Sequence, residues 1–147
     1  MRKFSIGLVF SLVAVMAFTF VAVDAGAADT IKIGFNIPLT GDNPDVGASS
    51  KNAAEMYFKK HPTVDVGGKT YALKFVYDDN EYKAESAVKV STKLITEEGV
   101  LGIIGPQSSS QAVPAGEVAN NYATPMISPW STNPNTTLDR GLIMGVA

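Results

Sequence analysis

Hydroxyl, amide and carboxylate side chains gather at three places in this chain, and each grouping could do chemistry. The first is Gly105-Pro106-Gln107-Ser108-Ser109-Ser110. Placed ahead of a helix, the serines stand beside backbone N–H groups left unsatisfied at the positive end of the helix dipole. That combination suits a carboxylate or another small anion. One serine acting as N-cap with the others hydrated accounts for the same residues, although three in a row exceed what a cap needs. The second grouping is Ser128-Pro129-Trp130-Ser131-Thr132-Asn133-Pro134. It offers hydroxyls, free backbone groups and one large aromatic surface, and it reads equally as a hydrated loop anchored by Trp130. The third is Asp78-Asp79-Asn80-Glu81. Its carboxylates could hold a divalent cation, but the spacing matches no calcium loop. Capping the helix that follows is the simpler role.

Other chemistries lack their parts. Among 147 residues there is no Cys and one His. This excludes a disulfide scaffold, thiolate or iron–sulfur sites, a cysteine nucleophile and any multi-His metal site. His61 falls at a helix end next to Pro62, away from the groupings above, so a serine hydrolase has no base. Gly67-Gly68-Lys69-Thr70 imitates the end of a phosphate-binding loop, but Thr63 stands where the leading glycine is required, and a strand follows instead of a helix. No Gly-x-Gly-x-x-Gly occurs, so no cofactor is expected. A net charge of −2 leaves no electrostatic footprint for nucleic acid. Asn135-Thr136-Thr137 fits a glycosylation acceptor by pattern only.

The elements that must position these groups alternate between strand and helix. Ile31, Ile33, Phe35 and Ile37 alternate with polar or small residues and predict a strand. Residues 38–47 are rich in turn formers, and residues 48–61 read as a helix whose inward face is Ala53, Ala54, Tyr57 and Phe58. After a Gly67-Gly68 turn, residues 71–77 predict a second strand. Residues 81–98 form the clearest helix, with Ala84, Ala87, Val88, Ser91 and Ile95 as its inward stripe. Residues 100–104 read as a strand buried on both faces. A helix is expected over 111–122, a short strand over 125–128, a polar loop over 130–140 and a final strand over 142–146. Such alternation predicts an α/β fold, a doubly wound parallel sheet with helices on both faces. Ligands of open parallel sheets bind outside the carboxyl ends of the strands, where both hydroxyl-rich groupings fall.

The chain starts differently. Arg2 and Lys3 precede an uncharged apolar run, residues 4–23, and Ala25-Gly26-Ala27 supplies small residues for cleavage. This is the pattern of a secretory signal peptide, residues 1–27. The run is also long enough to span a bilayer as an uncleaved anchor.

The ordered combination resembles a known family. Ile31-Lys32-Ile33-Gly34 with Pro38-Leu39-Thr40-Gly41 resembles the opening of mature solute-binding proteins of branched-chain amino acid and amide ABC transporters. Gly67-Gly68-Lys69 through Tyr77-Asp78-Asp79 resembles their second strand. Gly99-Val100 to Gly105-Pro106, Ser108-Ser109-Ser110 and Pro125-Met126-Ile127-Ser128-Pro129 continue in the same order. The resemblance implies a type I periplasmic binding fold, of which residues 28–147 are the N-terminal lobe, with the C-terminal lobe absent. It implies a periplasmic protein that hands a small ligand to ABC permease subunits, meets the membrane only through them, and is no enzyme. By the same resemblance Ser109 and Ser110 hold the ligand carboxylate, and Trp130, Ser131 and Thr132 bind its carboxylate and amino group.

Leucine-type members carry a small residue where Trp130 stands and often an aromatic near Val46, which sets this chain apart from them while keeping the class of amino acids and small carboxylates. The resemblance also makes the chain a truncated frame or fragment, with a complete one-lobe binder as the alternative. A sensory receptor domain of the same fold is the competing function.

Overall fold

A computed structural model describes residues 29–145. The expected signal segment, residues 1–27, and Val146 of the last expected strand lie outside the described residues. The described residues fold into six strands and three α-helices: β1 (Thr30–Ile37), α1 (Pro44–Lys60), β2 (Thr63–Val66), β3 (Lys69–Asp79), α2 (Ala84–Thr96), β4 (Gly102–Ile104), α3 (Ser109–Asn121), β5 (Met126–Ser128) and β6 (Ile143–Gly145), with one 3₁₀ turn at Pro134–Thr136. The sheet order is β2-β3-β1-β4-β5-β6. β1 lies in the middle and pairs in parallel with β3 on one side and β4 on the other. The chain therefore reverses direction across the sheet at β1, which puts the switch point at the ends of β1 and β4.

Alternation along the strands divides the residues between two faces. Gly34 faces α2: a Cβ there would lie 3.0 Å from Leu94. Ile103, registered with Gly34, joins Ala87, Val90, Leu94, Ala115, Ala119, Met126 and Ile143 in the core under α2 and α3. Phe35 and Phe75 point to the other face, where Phe58 of α1 meets Phe75 with ring centroids 5.3 Å apart. A buried polar knot ties the layers together. Asn36 Nδ2 donates to Ala87 O at 2.8 Å and Ser91 Oγ at 3.0 Å, and Asn80 Nδ2 donates to Asn36 Oδ1 at 2.8 Å.

Several expectations change. The sheet is mixed, because Thr63–Val66 pairs antiparallel with β3 through the Gly67-Gly68 turn. Both glycines have positive φ, 59° and 81°, as a tight hairpin turn requires. α1 begins at Pro44, where the fixed φ of proline and the acidic Asp45 favour a first turn. Of its expected face, Ala54 and Phe58 are half-buried while Ala53 and Tyr57 are exposed. α2 is rotated from its expected stripe. Ala87 and Ser91 are buried as expected, but Val90 and Leu94 join them and Ala84 is exposed. Packing against both the sheet and α3 selects the 87/90/91/94 arc. β4 is shorter than expected and is covered on one face only: Ile103 is buried and Ile104 half-buried. α3 starts at Ser109, so two of the three serines lie within its first turn.

Candidate functional site

The exits of β1, β4 and β5 converge at one end of the sheet. Gly105 leaves β4 with φ +100°, and a Cβ there would lie 2.1 Å from the carbonyl oxygen of Asn36. Only glycine lets the β4 exit cross the end of β1 so closely. The next peptide, Gly105–Pro106, is cis. Ser128 Oγ donates to Pro106 O at 2.6 Å, which binds the end of β5 to this loop. Gln107 Nε2 donates to Ser50 Oγ at 2.9 Å, and Ser50 Oγ donates to Val46 O at 2.9 Å, which binds the loop to α1.

The loop so fixed delivers the serines to the start of α3. Ser108 is the N-cap residue in extended conformation, and its side chain makes no capping hydrogen bond. Its hydroxyl lies instead 3.1 Å from that of Ser110. Ser109 Oγ accepts from Ser131 Oγ at 3.1 Å, and Ser131 and Thr136 hydroxyls are 2.5 Å apart. A chain of three hydroxyls thus runs from the first turn of α3, through the loop after β5, to the 3₁₀ turn. That turn is built locally, with Asn133 Oδ1 accepting from Asn135 N at 2.9 Å and Pro134 opening it.

Of the five residues singled out from sequence, Ser109 and Ser131 are in direct contact. Ser110, Trp130 and Thr132 stand exposed around them, while Ser131 is buried and Ser109 half-buried. Thr136 was not foreseen, since its triplet showed only a glycosylation pattern. Nor were Gln107 and Gln111, both buried. Gln107 Oε1 and both amide atoms of Gln111 have no hydrogen-bond partner among the described residues. No sequence pattern distinguishes such glutamines from solvated ones.

The acidic grouping is occupied with other work. Asp79 does not cap α2, whose N-cap is Lys83 with no side-chain capping bond. Asp79 Oδ1 accepts from Leu39 N at 2.8 Å, Thr40 N at 3.2 Å and Glu81 N at 2.8 Å, and Oδ2 accepts from Thr40 Oγ1 at 2.5 Å. Burial pushes this carboxyl up, but the bonds from Thr40, Glu81 and Leu39 outweigh it and hold it below its ordinary value. Asp78 pairs with Lys93 at 2.8 Å and Glu81 with Lys83 at 2.9 Å. Among the described residues no group of three or more His, Asp or Glu side chains could hold a metal ion. His61 stacks on Tyr57 at 4.6 Å, and the neighbouring Pro62 bonds Leu73 beside the start of β1, opposite the convergent loops.

The sequence and fold are matched among known proteins. The sequence profile described as periplasmic binding protein matches residues 30–145. A leucine-, isoleucine-, valine-, threonine- and alanine-binding protein of Pseudomonas aeruginosa is 32% identical over 127 residues, covering 86% of this chain and 33% of that protein. The crystal structure of a leucine-binding protein from Thermotoga maritima superimposes with a TM-score of 0.73 at 28% identity, covering 79% of this chain and 32% of that one. An ABC-transporter solute-binding protein from Rhodopseudomonas palustris, solved with 3,4-dihydroxybenzoic acid, gives 0.72 at 26% identity, covering 80% and 31%. The chain spans about a third of the length of the curated relatives it matches. With its profile match running through almost every described residue, the chain belongs to the periplasmic binding protein family, with the leucine-binding-protein-like type I fold.

Proposed function

We propose that this chain is the ligand-contacting N-terminal lobe of a solute-binding protein serving an ABC importer. It is exported to the periplasm after removal of residues 1–27, captures an amino acid or related small carboxylate, and presents it to the permease. The observation that carries this reading is the hydroxyl chain Ser109–Ser131–Thr136 at the start of α3. It combines neutral donors with a helix N-terminus at the carboxyl ends of β4 and β5, which is the chemistry of carboxylate capture. Ser110 and Thr132 add hydroxyls at the rim, and Trp130 adds an exposed aromatic face. A leucine-binding relative and a dihydroxybenzoate-bound relative lie at comparable structural distance. The indole of Trp130 extends the ligand class to aromatic acids, on which a flat ring can stack.

Chemical-shift mapping by NMR tests the reading and registers weak binding. Titration with branched-chain amino acids and with hydroxybenzoates should move the amides of residues 108–110 and 130–132. Ser109→Ala removes one charge-assisted hydrogen bond, worth roughly 1.5–3 kcal/mol, or about ten- to a hundredfold in affinity. Shifts confined to other parts of the chain, or left unchanged in Ser109→Ala, would place the ligand elsewhere.

A further inference from the structure

Neighbouring parallel strands are usually joined by a helix whose apolar stripe packs on the sheet. β5 and β6 are parallel neighbours, yet residues 129–142 between them carry only the 3₁₀ turn at Pro134–Thr136. This connection nevertheless brings Trp130, Ser131, Thr132 and Thr136 to the candidate site, so something other than helix packing must fix it. At its start, Ser131 is bonded to Ser109 and Thr136. Near its end stands Arg140, whose side chain is 13% exposed. Its Nη1 donates to Val113 O at 2.7 Å and its Nη2 donates to Glu117 Oε1 at 3.0 Å, so the planar fork grips α3. The Glu117 carboxylate is 65% exposed and its charge is screened by water, which leaves the Val113 carbonyl as the firmer hold. Gly116 makes room for the guanidinium, since a Cβ there would lie 2.9 Å from Nη1. Between the two grips the backbone is a run of tight turns. Thr137 N and Leu138 N donate to Pro134 O, Arg140 N donates to Thr137 O, and Ile143 N donates to Arg140 O. Asp139 within it has φ +57°, a conformation that a non-glycine residue keeps where its surroundings hold it.

We infer that Arg140 is a positioning residue of the candidate site. By clamping the far end of the connection onto α3, it holds Ser131 and Thr136 in place beside Ser109 and sets where Trp130 and Thr132 stand. Ser109 belongs to α3 and Ser131 to the loop after β5, so their hydroxyls can serve one carboxylate only while the spacing between the two elements is fixed. The bond from Ser131 to Ser109 is a single neutral one that water can replace, and it cannot fix that spacing alone. The guanidinium supplies the second point of attachment, and the turns between carry its position back to Thr136. The consequence for binding rests on the ligand reading proposed above; the consequence for the loop does not.

Trp130 is the only tryptophan in the sequence, so its fluorescence reports this connection without a label. The unmodified chain is compared with three variants. Arg140→Lys keeps the charge but loses the fork. Gly116→Ala displaces the guanidinium with a Cβ, while alanine favours the helix and so protects the fold. Glu117→Gln removes only the screened charge. Without ligand, Arg140→Lys and Gly116→Ala should keep the circular dichroism spectrum, speed the anisotropy decay of Trp130 and shift the amide signals of Ser131 and Thr136. Glu117→Gln should leave all of these unchanged. In NMR titrations with leucine and with 3,4-dihydroxybenzoate, the first two variants should weaken binding about tenfold, the loss of one well-aimed hydrogen bond. Ser109→Ala added to either should then cost less than it does in the unmodified chain. Unchanged Trp130 decay and unchanged Ser131 and Thr136 signals in folded Arg140→Lys and Gly116→Ala would overturn the positioning role. So would losses of affinity that simply add to that of Ser109→Ala. Loop signals that move as expected, while neither compound binds the unmodified chain, would uphold the clamp and remove the ligand reading.

Discussion

Four hydrogen bonds converge on the carboxylate of Asp79, from Leu39 N, Thr40 N, Thr40 Oγ1 and Glu81 N. They fasten the loop after β1 to the end of β3, on the same end of the sheet as the hydroxyl cluster. Asp79→Asn keeps the shape but loses the charge, and one donor must now face another. The expected cost is roughly 1–3 kcal/mol at neutral pH, read from urea denaturation. The pH dependence has a definite sign. A carboxyl held below its ordinary value contributes stability that is full above 3.8 and is lost as pH falls through the lower folded value. The gap between wild type and Asp79→Asn should therefore close below pH 3.8, and a gap that persists there would separate the loop clamp from the charge. At this scale the sequence was partly legible. Three consecutive serines at a strand exit announced an anion-seeking helix start. The acidic run announced only charge, because a carboxylate that caps a loop forty residues away in sequence looks the same as one that caps the next helix.

Elements were legible where periodicity decides them and obscure where tertiary packing does. β1 and the span of α2 follow from hydrophobic spacing. The buried arc of α2 does not, because its two apolar arcs, 84/87/88/95 and 87/90/94, both fit a helix. Val90 and Leu94 of the second join Ala87 in the core with Ala115 and Ala119 of α3, and Leu94 meets Gly34, while Ile95 of the first is only partly buried against it. This gives a sharp comparison. Leu94 is fully buried, and Leu94→Ala should cost about 2–5 kcal/mol through lost contacts and the cavity left behind. Ile95 is half-buried beside the same core, and Ile95→Ala should cost less than half as much. Equal costs in thermal or denaturant unfolding would return the buried arc to the other stripe. The β2 strand was illegible for a different reason. Thr63–Val66 is mostly exposed, and its alternation of Val64 and Val66 with polar residues is too short to tell from a loop. The edge position and the Gly67-Gly68 turn make it a strand, through pairing with β3.

At the scale of the whole molecule, the proposed role as one lobe of a cleft limits how much of a binding site residues 28–147 supply by themselves. The hydroxyl cluster is preorganised: Ser131 and Thr136 are buried, and Ser109 is held between α3 and the loop after β5. Its rim is open, with Ser110, Trp130 and Thr132 exposed. A ligand seated there keeps one flank in water, so its charge-assisted bonds are screened and little of its apolar body is buried. Association costs some 4–15 kcal/mol before any contact contributes. Two or three solvent-facing hydrogen bonds, each worth about 1–2 kcal/mol net, barely offset the lower end of that range. The expected dissociation constant of residues 28–147 alone for amino acids or hydroxybenzoates is about 1 mM or weaker, measured by NMR titration. The family resemblance makes enclosure between lobes the source of tighter binding, through a hinge that closes around the ligand, and the chain spans about a third of its curated relatives. A micromolar constant would mean about 4 kcal/mol of additional stabilisation. Some surface would then have to close over the open flank. Millimolar binding that weakens further in Ser109→Ala leaves the hydroxyl cluster working alone.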